Sequence, residues 1–233
     1  FKGTRMSYAR LEELTNAFGA ALVALGVAKG DRVALLLPNS PQSVIAQLGA
    51  WKAGAIVSPI NPLYTAYELE YALNEIGAET VVVLTSFYEK VKSLQPRTGV
   101  RRVIATNIKE YLPLHLRLLF TLAKEKKEGY RINLQTGDLA WQDLMRQHAG
   151  APRPAVAVAG ADPAILLFSG GTTGTPKAAL GTHRGLLMAA MQLHAYGRTA
   201  LEDWNDIITV VMPMFHVYGN MALNTSLVSR WPM

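Results

Sequence analysis

The stretch that most narrows what this chain can fold into runs from Ile165 to Leu180, where a short apolar run gives way to a loop of glycine, threonine and serine. Ile165-Leu-Leu-Phe168 has the length and composition of a buried strand. It stops at Ser169, and Gly170, Gly171 and Gly174, having no Cβ, then permit positive φ and close approach of backbone to a ligand. Successive main-chain N–H groups in such a loop form a concave nest for an anion. Ser169, Thr172, Thr173 and Thr175 add hydroxyl donors, and Lys177 adds a cation. This is the inventory a polyphosphate requires.

The loop is not the P-loop of the common nucleotide hydrolases, which needs Gly-Lys-Ser/Thr running straight into a helix. Here Pro176 precedes Lys177, and Ala178-Ala-Leu180 follow before Gly181. Proline pushes the residue before it, Thr175, towards extended backbone, so the spacing predicts a strand–loop–strand hairpin. A glycine-rich hairpin without a ligand is the competing reading, and the hydroxyls and the lysine weigh against it.

The remainder alternates strand and helix. Ser7 is placed to cap a helix carrying Leu11, Leu14, Phe18, Ala21, Leu22 and Leu25 on one face, with Gly26 at its end. A strand over Arg32–Leu37 precedes a helix opened by Pro41 and running to about Lys52, and Ala55–Ser58 is the next strand. Thr65 and Glu68 have capping-box spacing for a helix through Leu69, Leu73 and Ile76. Thr80–Leu84, a helix near Phe87–Leu94 and Arg102–Ala105 continue the pattern. Ala151–Gly160 reads as a linker, Thr182 as an N-cap, and Ile207–Met212 as a buried strand after Asp206. Near-continuous β-branched strands separated by helices predict an α/β fold: a largely parallel sheet covered by helices on both faces.

The residues Ser169-Gly-Gly-Thr-Thr-Gly-Thr-Pro-Lys177 resemble the phosphate-binding signature of the adenylate-forming enzymes: acyl-CoA synthetases, luciferases and peptide-synthetase adenylation domains. The usual form is Ser/Thr-Ser/Gly-Gly-Thr-Thr-Gly-x-Pro-Lys-Gly. Ala178 stands where glycine is commonest, and a methyl there asks only for ordinary strand dihedrals. Gly30-Asp-Arg-Val-Ala34, Leu37-Pro-Asn-Ser40 and Lys52-Ala-Gly-Ala55 with Asn61-Pro62 resemble the opening half of an acyl-CoA synthetase's large domain, where such pieces are scaffold rather than chemistry. Pro213-Met-Phe-His-Val-Tyr-Gly219 resembles the family's Pro-x-Phe-His-x-x-Gly motif, whose histidine and aromatic residues line the wall between the adenylate and acyl pockets. The likeness is weakest between about 107 and 160.

The resemblance implies activation of a carboxylate by Mg2+-bound ATP to an acyl adenylate, then transfer to CoA. Ser169, Gly170, Gly171, Thr172, Thr173, Gly174, Thr175 and Lys177 are the implied phosphate-binding residues, with Thr172 also near the metal. His216 is the implied catalytic residue, with Phe215 and Gly219 shaping the pocket. By itself His216 reads as a satisfied loop histidine; the phosphate loop upstream reverses that. His183 and His194 keep a structural reading, and Asp203 and Asp206 read as a solvated turn, since one acid pair does not make a metal site. Residues 1–150 and 151–233 are expected to be two parts of one adenylation domain, incomplete at its C-terminus. Both ends, Phe1 and Arg230-Trp-Pro-Met233, look like cuts. The adenine and ribose motifs and the small C-terminal domain with its catalytic lysine are expected outside this chain, which would leave the isolated piece inactive.

Composition removes other classes. With no cysteine among 233 residues, disulfides, thiolate metal sites and cysteine nucleophiles are excluded, and a reducing, cytoplasmic setting fits. The net charge of +6 arises from scattered Lys and Arg without interleaved aromatics, so no nucleic-acid partner is expected. Ile207–Ser229 has no Asp, Glu, Lys or Arg, but Pro213, His216, Gly219, Asn220 and Asn224 argue against a membrane span. Tyr111–Lys127 is apolar first and basic later, with Leu112, Leu116, Leu119, Phe120 and Ala123 on one helical face. Two readings stay open for this insertion near 110–128: a helix packed on its own domain, or peripheral contact with an anionic membrane surface on its inner face. Its character resembles long-chain fatty acyl-CoA synthetases. An adenylating enzyme for an aryl, amino-acid or luciferin-like carboxylate, a non-catalytic ATP-binding regulator and a membrane-surface module are the alternative functions.

Overall fold

The computed structural model describes residues 1–169, 176–198 and 206–233. The Ser7 hydroxyl accepts from the Arg10 N–H and caps α1 (Tyr8–Ala24). Next come β1 (Arg32–Leu36) and α2 (Pro41–Lys52), the latter capped by Ser40 with Pro41 in its first turn. After β2 (Ile56–Pro59), the capping box of Thr65 and Glu68 closes in both directions at the start of α3 (Ala66–Glu75). Then follow β3 (Thr80–Leu84), α4 (Tyr88–Leu94) and β4 (Arg102–Thr106). The rest comprises α5 (Leu114–Ala123), β5 (Leu139–Ala140), α6 (Trp141–Gln147), β6 (Pro163–Phe168), β7 (Ala178–Thr182), α7 (His183–Gly197) and α8 (Val217–Ser229).

The strands form one sheet in the order β5-β4-β3-β1-β2-β6-β7. Every pairing is parallel except β6 with β7. Strand periodicity sends alternate residues to opposite faces. Val33, Leu35 and Leu37 join Phe18, Ile45 and Trp141 in one core, while Ala34 and Leu36 join Leu69, Leu73 and Tyr88 in another. α1, α2 and α6 cover the first face; α3 and α4 cover the second. Phe18 stacks on Trp141 with centroids 4.5 Å apart. α1 comes so near α2 that a Cβ on Gly49 would sit 2.8 Å from the Phe18 ring.

The linker 151–160 has no regular structure but is stitched down, with Lys29 Nζ donating to the Ala157 carbonyl at 2.8 Å and pairing with Asp162 at 2.7 Å. It delivers the chain to β6, which bridges to β2 at the single pair Val57–Ile165. Trp51 Nε1 donates to the Ala164 carbonyl at 2.7 Å and Ser58 Oγ to the Leu166 carbonyl at 2.9 Å, reinforcing that short ladder.

Two expectations are corrected. Ile207–Met212 is not a buried strand: it joins no ladder among the described residues, and Ile207 and Val211 are exposed. An apolar run signals burial only when a partner covers it, and here Asn39 and the Pro232 carbonyl, rather than a neighbouring strand, take its main-chain bonds. The second correction concerns α5. Leu112 lies outside the helix, and of the expected face Leu116 and Phe120 are half-buried while Leu119 and Ala123 are exposed, as are Leu114, Leu118 and Leu122. Phe120 meets the ring of Tyr130 edge-on at 5.2 Å, and the turn after α5 is tied back by Glu125, whose carboxylate accepts from Lys109 and Asn107. Among the described residues no helix is long and apolar enough to cross a membrane.

Candidate active site

The site is built at one end of the β6–β7 pair. Phe168 pairs with Ala178 in the last antiparallel register position, so the methyl of Ala178 occupies an ordinary strand site. Beyond it the Ser169 N–H donates to the Lys177 carbonyl at 3.0 Å, and Ser169 Oγ reaches the same oxygen at 3.3 Å. The predicted strand–loop–strand hairpin is therefore present, and its two ends are one hydrogen bond apart. Ser169 and Lys177 are both exposed at the mouth. Gly170, Gly171, Thr172, Thr173, Gly174 and Thr175 lie outside the described residues. Among the described residues no three His, Asp or Glu side chains group to hold a metal ion.

The second part of the site is the segment 213–219. His216 is the N-cap of α8, its Nδ1 accepting from the Tyr218 N–H at 3.4 Å, and its ring is exposed while Phe215 is half-buried. The His216 N–H donates to the Pro213 carbonyl at 3.0 Å, closing a tight turn. Gly219 is required there: a Cβ would lie 2.1 Å from the Pro213 oxygen. Beside this turn an apolar cleft of about 260 Å³ opens between α7 and α8, lined by Leu193, Ile208, Val210, Met212, Tyr218 and Ala222.

Asn39, read from the sequence as scaffold, proves to be wired to this segment. Its Nδ2 donates to the carbonyls of Val210 (3.0 Å) and Met212 (2.8 Å), and its Oδ1 accepts from the Met214 N–H (2.8 Å). No local signal marks it, because Pro38-Asn39-Ser40 reads simply as a turn before a helix cap.

His183 and His194, read from the sequence as structural, make contacts within the fold. His183 follows β7 at the end remote from the loop and meets Trp51 edge-on at 5.6 Å; burial pushes its imidazole below the usual histidine range, against the opposing pull of Asp162. His194 Nδ1 and Ser229 Oγ are 2.7 Å apart, and its ring lies 5.2 Å from Trp231. A cleft of about 440 Å³ lined by Tyr8, Glu12, Trp51, Lys52, Arg153 and His183 opens at that remote end. It is larger than the apolar cleft but separated from the hairpin mouth by the length of β7, and Lys52 within it is already engaged by Glu12, Thr15 and Asn16. Asp203 lies outside the described residues, and Asp206 is half-buried.

A mostly parallel sheet of this order, with its last strand antiparallel, is the α/β fold of acyl-CoA ligase N-terminal domains. The chain belongs to the AMP-binding enzyme family, whose model matches residues 1–231. It is 32% identical to a long-chain-fatty-acid–CoA ligase of Escherichia coli O6:H1, over 93% of this chain and 39% of the relative. It is also 32% identical to the ligase of the same name from Bacillus subtilis, over 96% of this chain and 40% of that protein. The crystal structure of a long-chain-fatty-acid-CoA ligase from Archaeoglobus fulgidus superimposes with a TM-score of 0.77 at 28% identity, covering 97% of this chain and 39% of that one. The chain thus spans about 39–40% of the length of the curated relatives it matches.

Because Gly219 touches the Pro213 backbone, Gly219→Ala should lever the 213–216 turn off the start of α8. Chymotrypsin should then cut at Phe215 or Tyr218 at least about tenfold faster, while the two sheet cores stay protected. An unchanged cutting rate would show that the turn tolerates the methyl.

Proposed function

We propose that the full-length protein is an AMP-forming ligase that joins a fatty acid to CoA. A carboxylate oxygen attacks the α-phosphorus of Mg2+-bound ATP, the bond to the bridging oxygen breaks, and pyrophosphate leaves. The CoA sulfur then attacks the acyl carbon, its proton is lost, and AMP departs with the former carboxylate oxygen. Negative charge builds on the leaving pyrophosphate in the first step, so positioning and electrostatic stabilisation carry the catalysis. Thr172, Thr173 and Lys177 are the residue types suited to the β- and γ-phosphates, and Thr172 is the residue that would help to hold the metal accompanying ATP. His216 and Phe215 are suited to the wall that separates the phosphate end from the acyl chain, and Gly219 to holding that wall's turn.

The observation that carries this reading is that one fold of the AMP-binding family holds both the Ser169–Lys177 hairpin mouth and an apolar cleft beside the His216 turn. The likeness to long-chain-fatty-acid–CoA ligases supports the choice of substrate class. Pyrophosphate release by the full-length protein should be faster with dodecanoate or palmitate than with acetate. Faster release with acetate or an amino acid would contradict the substrate class. Lys177→Ala should lower kcat/KM for ATP by about 10–100-fold, the loss of one or two charge-assisted hydrogen bonds, with the fold intact. A change below about twofold would mean that Lys177 points away from the phosphates.

A membrane-surface partner is favoured by α5. Leu114, Leu118 and Leu122 are 73%, 57% and 86% exposed on successive turns, and Lys124, Lys126 and Lys127 follow, all exposed. Such a ridge with basic residues at its end suits the inner, anionic leaflet of a membrane from which a fatty acid is drawn. Each lysine contributes up to about 1 kcal/mol near a charged surface. Reversing all three charges to Glu should therefore abolish sedimentation of the full-length protein with vesicles of phosphatidylglycerol and phosphatidylcholine. Unchanged sedimentation would assign the helix to contacts within the protein.

A further inference from the structure

The peptide of Met214 is held on both sides by side-chain amides that trace back to one helix. Its N–H donates to Asn39 Oδ1 at 2.8 Å, and its carbonyl accepts from Asn220 Nδ2 at 3.3 Å. Asn39 stands immediately before the Ser40 cap of α2. Asn220 is locked to Gln47 of the same helix through Nδ2 to Oε1 at 2.8 Å and Nε2 to Oδ1 at 3.5 Å, and its Oδ1 also accepts from Asn224 at 2.9 Å. Gln47, Asn220 and Asn224 are all buried. Buried amides are costly unless paired, and apolar residues would fill the same α2–α8 interface without that penalty. The file is accounted for by what it holds.

We propose that Asn39, seconded by the Gln47–Asn220 pair, is a positioning residue for His216, fixing the peptide of Met214 and through it the imidazole. This rests on the reading of His216 as part of the substrate wall. Asn39 spends both Nδ2 hydrogens and its Oδ1 on Val210, Met212 and Met214, and so takes the place of a strand partner for a segment that has none among the described residues. Only Phe215 separates Met214 from His216, and the Pro213–His216 hydrogen bond makes that span a closed turn. A shift at Met214 is therefore passed to the ring instead of being absorbed. Every group in the file is a neutral amide, so it constrains where the imidazole stands without placing a charge beside it.

The test is a mutant cycle in the full-length enzyme, with pyrophosphate release from a long-chain fatty acid normalised to folded protein. Asn39→Ala should lower kcat at least about tenfold with KM for ATP changed less than about twofold. In a His216→Ala background the same substitution should cost less than about twofold. Asn39→Asp, which keeps the acceptor for Met214 but turns lone pairs towards two carbonyls, should do no better than Ala despite its shape. Equal losses in both backgrounds would show a merely structural contribution and overturn the proposal. Hydrogen exchange supplies a readout independent of activity: Asn39→Ala should speed exchange at the Met214 amide at least about tenfold, leaving β1 and β3 unchanged. Unchanged exchange there would also overturn it. If the wild-type enzyme releases no pyrophosphate with any carboxylate, the ligase reading fails by itself, and Met214 exchange still decides whether Asn39 anchors the turn.

Discussion

The antiparallel closure of β7 on β6 is the constraint on which the rest depends. In an otherwise parallel sheet it turns the chain back, and so brings Ser169 and Lys177 within hydrogen-bond distance at the loop mouth. Pinning the two strand ends offsets part of the entropy cost of closing the span between them. The pin is only as firm as β6. That strand has one bridge pair to β2 and leans on Trp51 and Ser58 for the rest. Scaffold side chains thus hold the hairpin against the core.

α2 emerges as the common reference for both halves of the site. Its last turn sends Trp51 to β6, its middle sends Gln47 to α8, and Asn39 just before its cap reaches the 210–214 backbone. Gln42, on the same helix, donates to the Asn107 carbonyl at 3.0 Å and so ties in the chain that leads to α5. One helix, with the residue just before its cap, thus bonds to β6, to α8 and to the segment ahead of the histidine turn. Close packing of α1 on α2 through Gly49 fixes that helix in turn against the sheet.

The first half of the chain was legible because local chemistry and tertiary need agree there. Ser7 and Thr65 cap and Pro41 opens a helix where their side chains suggest, and Thr80–Leu84 is a strand buried on both faces, as its near-continuous β-branched run implies. The hairpin was legible from Pro176 and the Gly/Thr run. Legibility failed where a long-range partner decides the outcome. Ile207–Met212 has strand composition but no strand beside it among the described residues, so composition misread its burial. For α5 both a packed and a surface helix stayed open, because periodicity reports which residues share a face but not whether that face is covered. Asn39 was invisible for the same reason: its partners lie more than 170 positions away, and a turn asparagine is commonplace.

The reaction proposed for the full-length protein is attack of a carboxylate on the α-phosphorus of ATP. Isotope transfer tests it directly in the full-length protein supplied with palmitate labelled with oxygen-18 in the carboxyl group, ATP and CoA. Attack at the α-phosphorus followed by thiolysis places one labelled oxygen in the AMP released, and the pyrophosphate stays unlabelled. Label in inorganic phosphate, or a thioester formed with unlabelled AMP, would contradict the account.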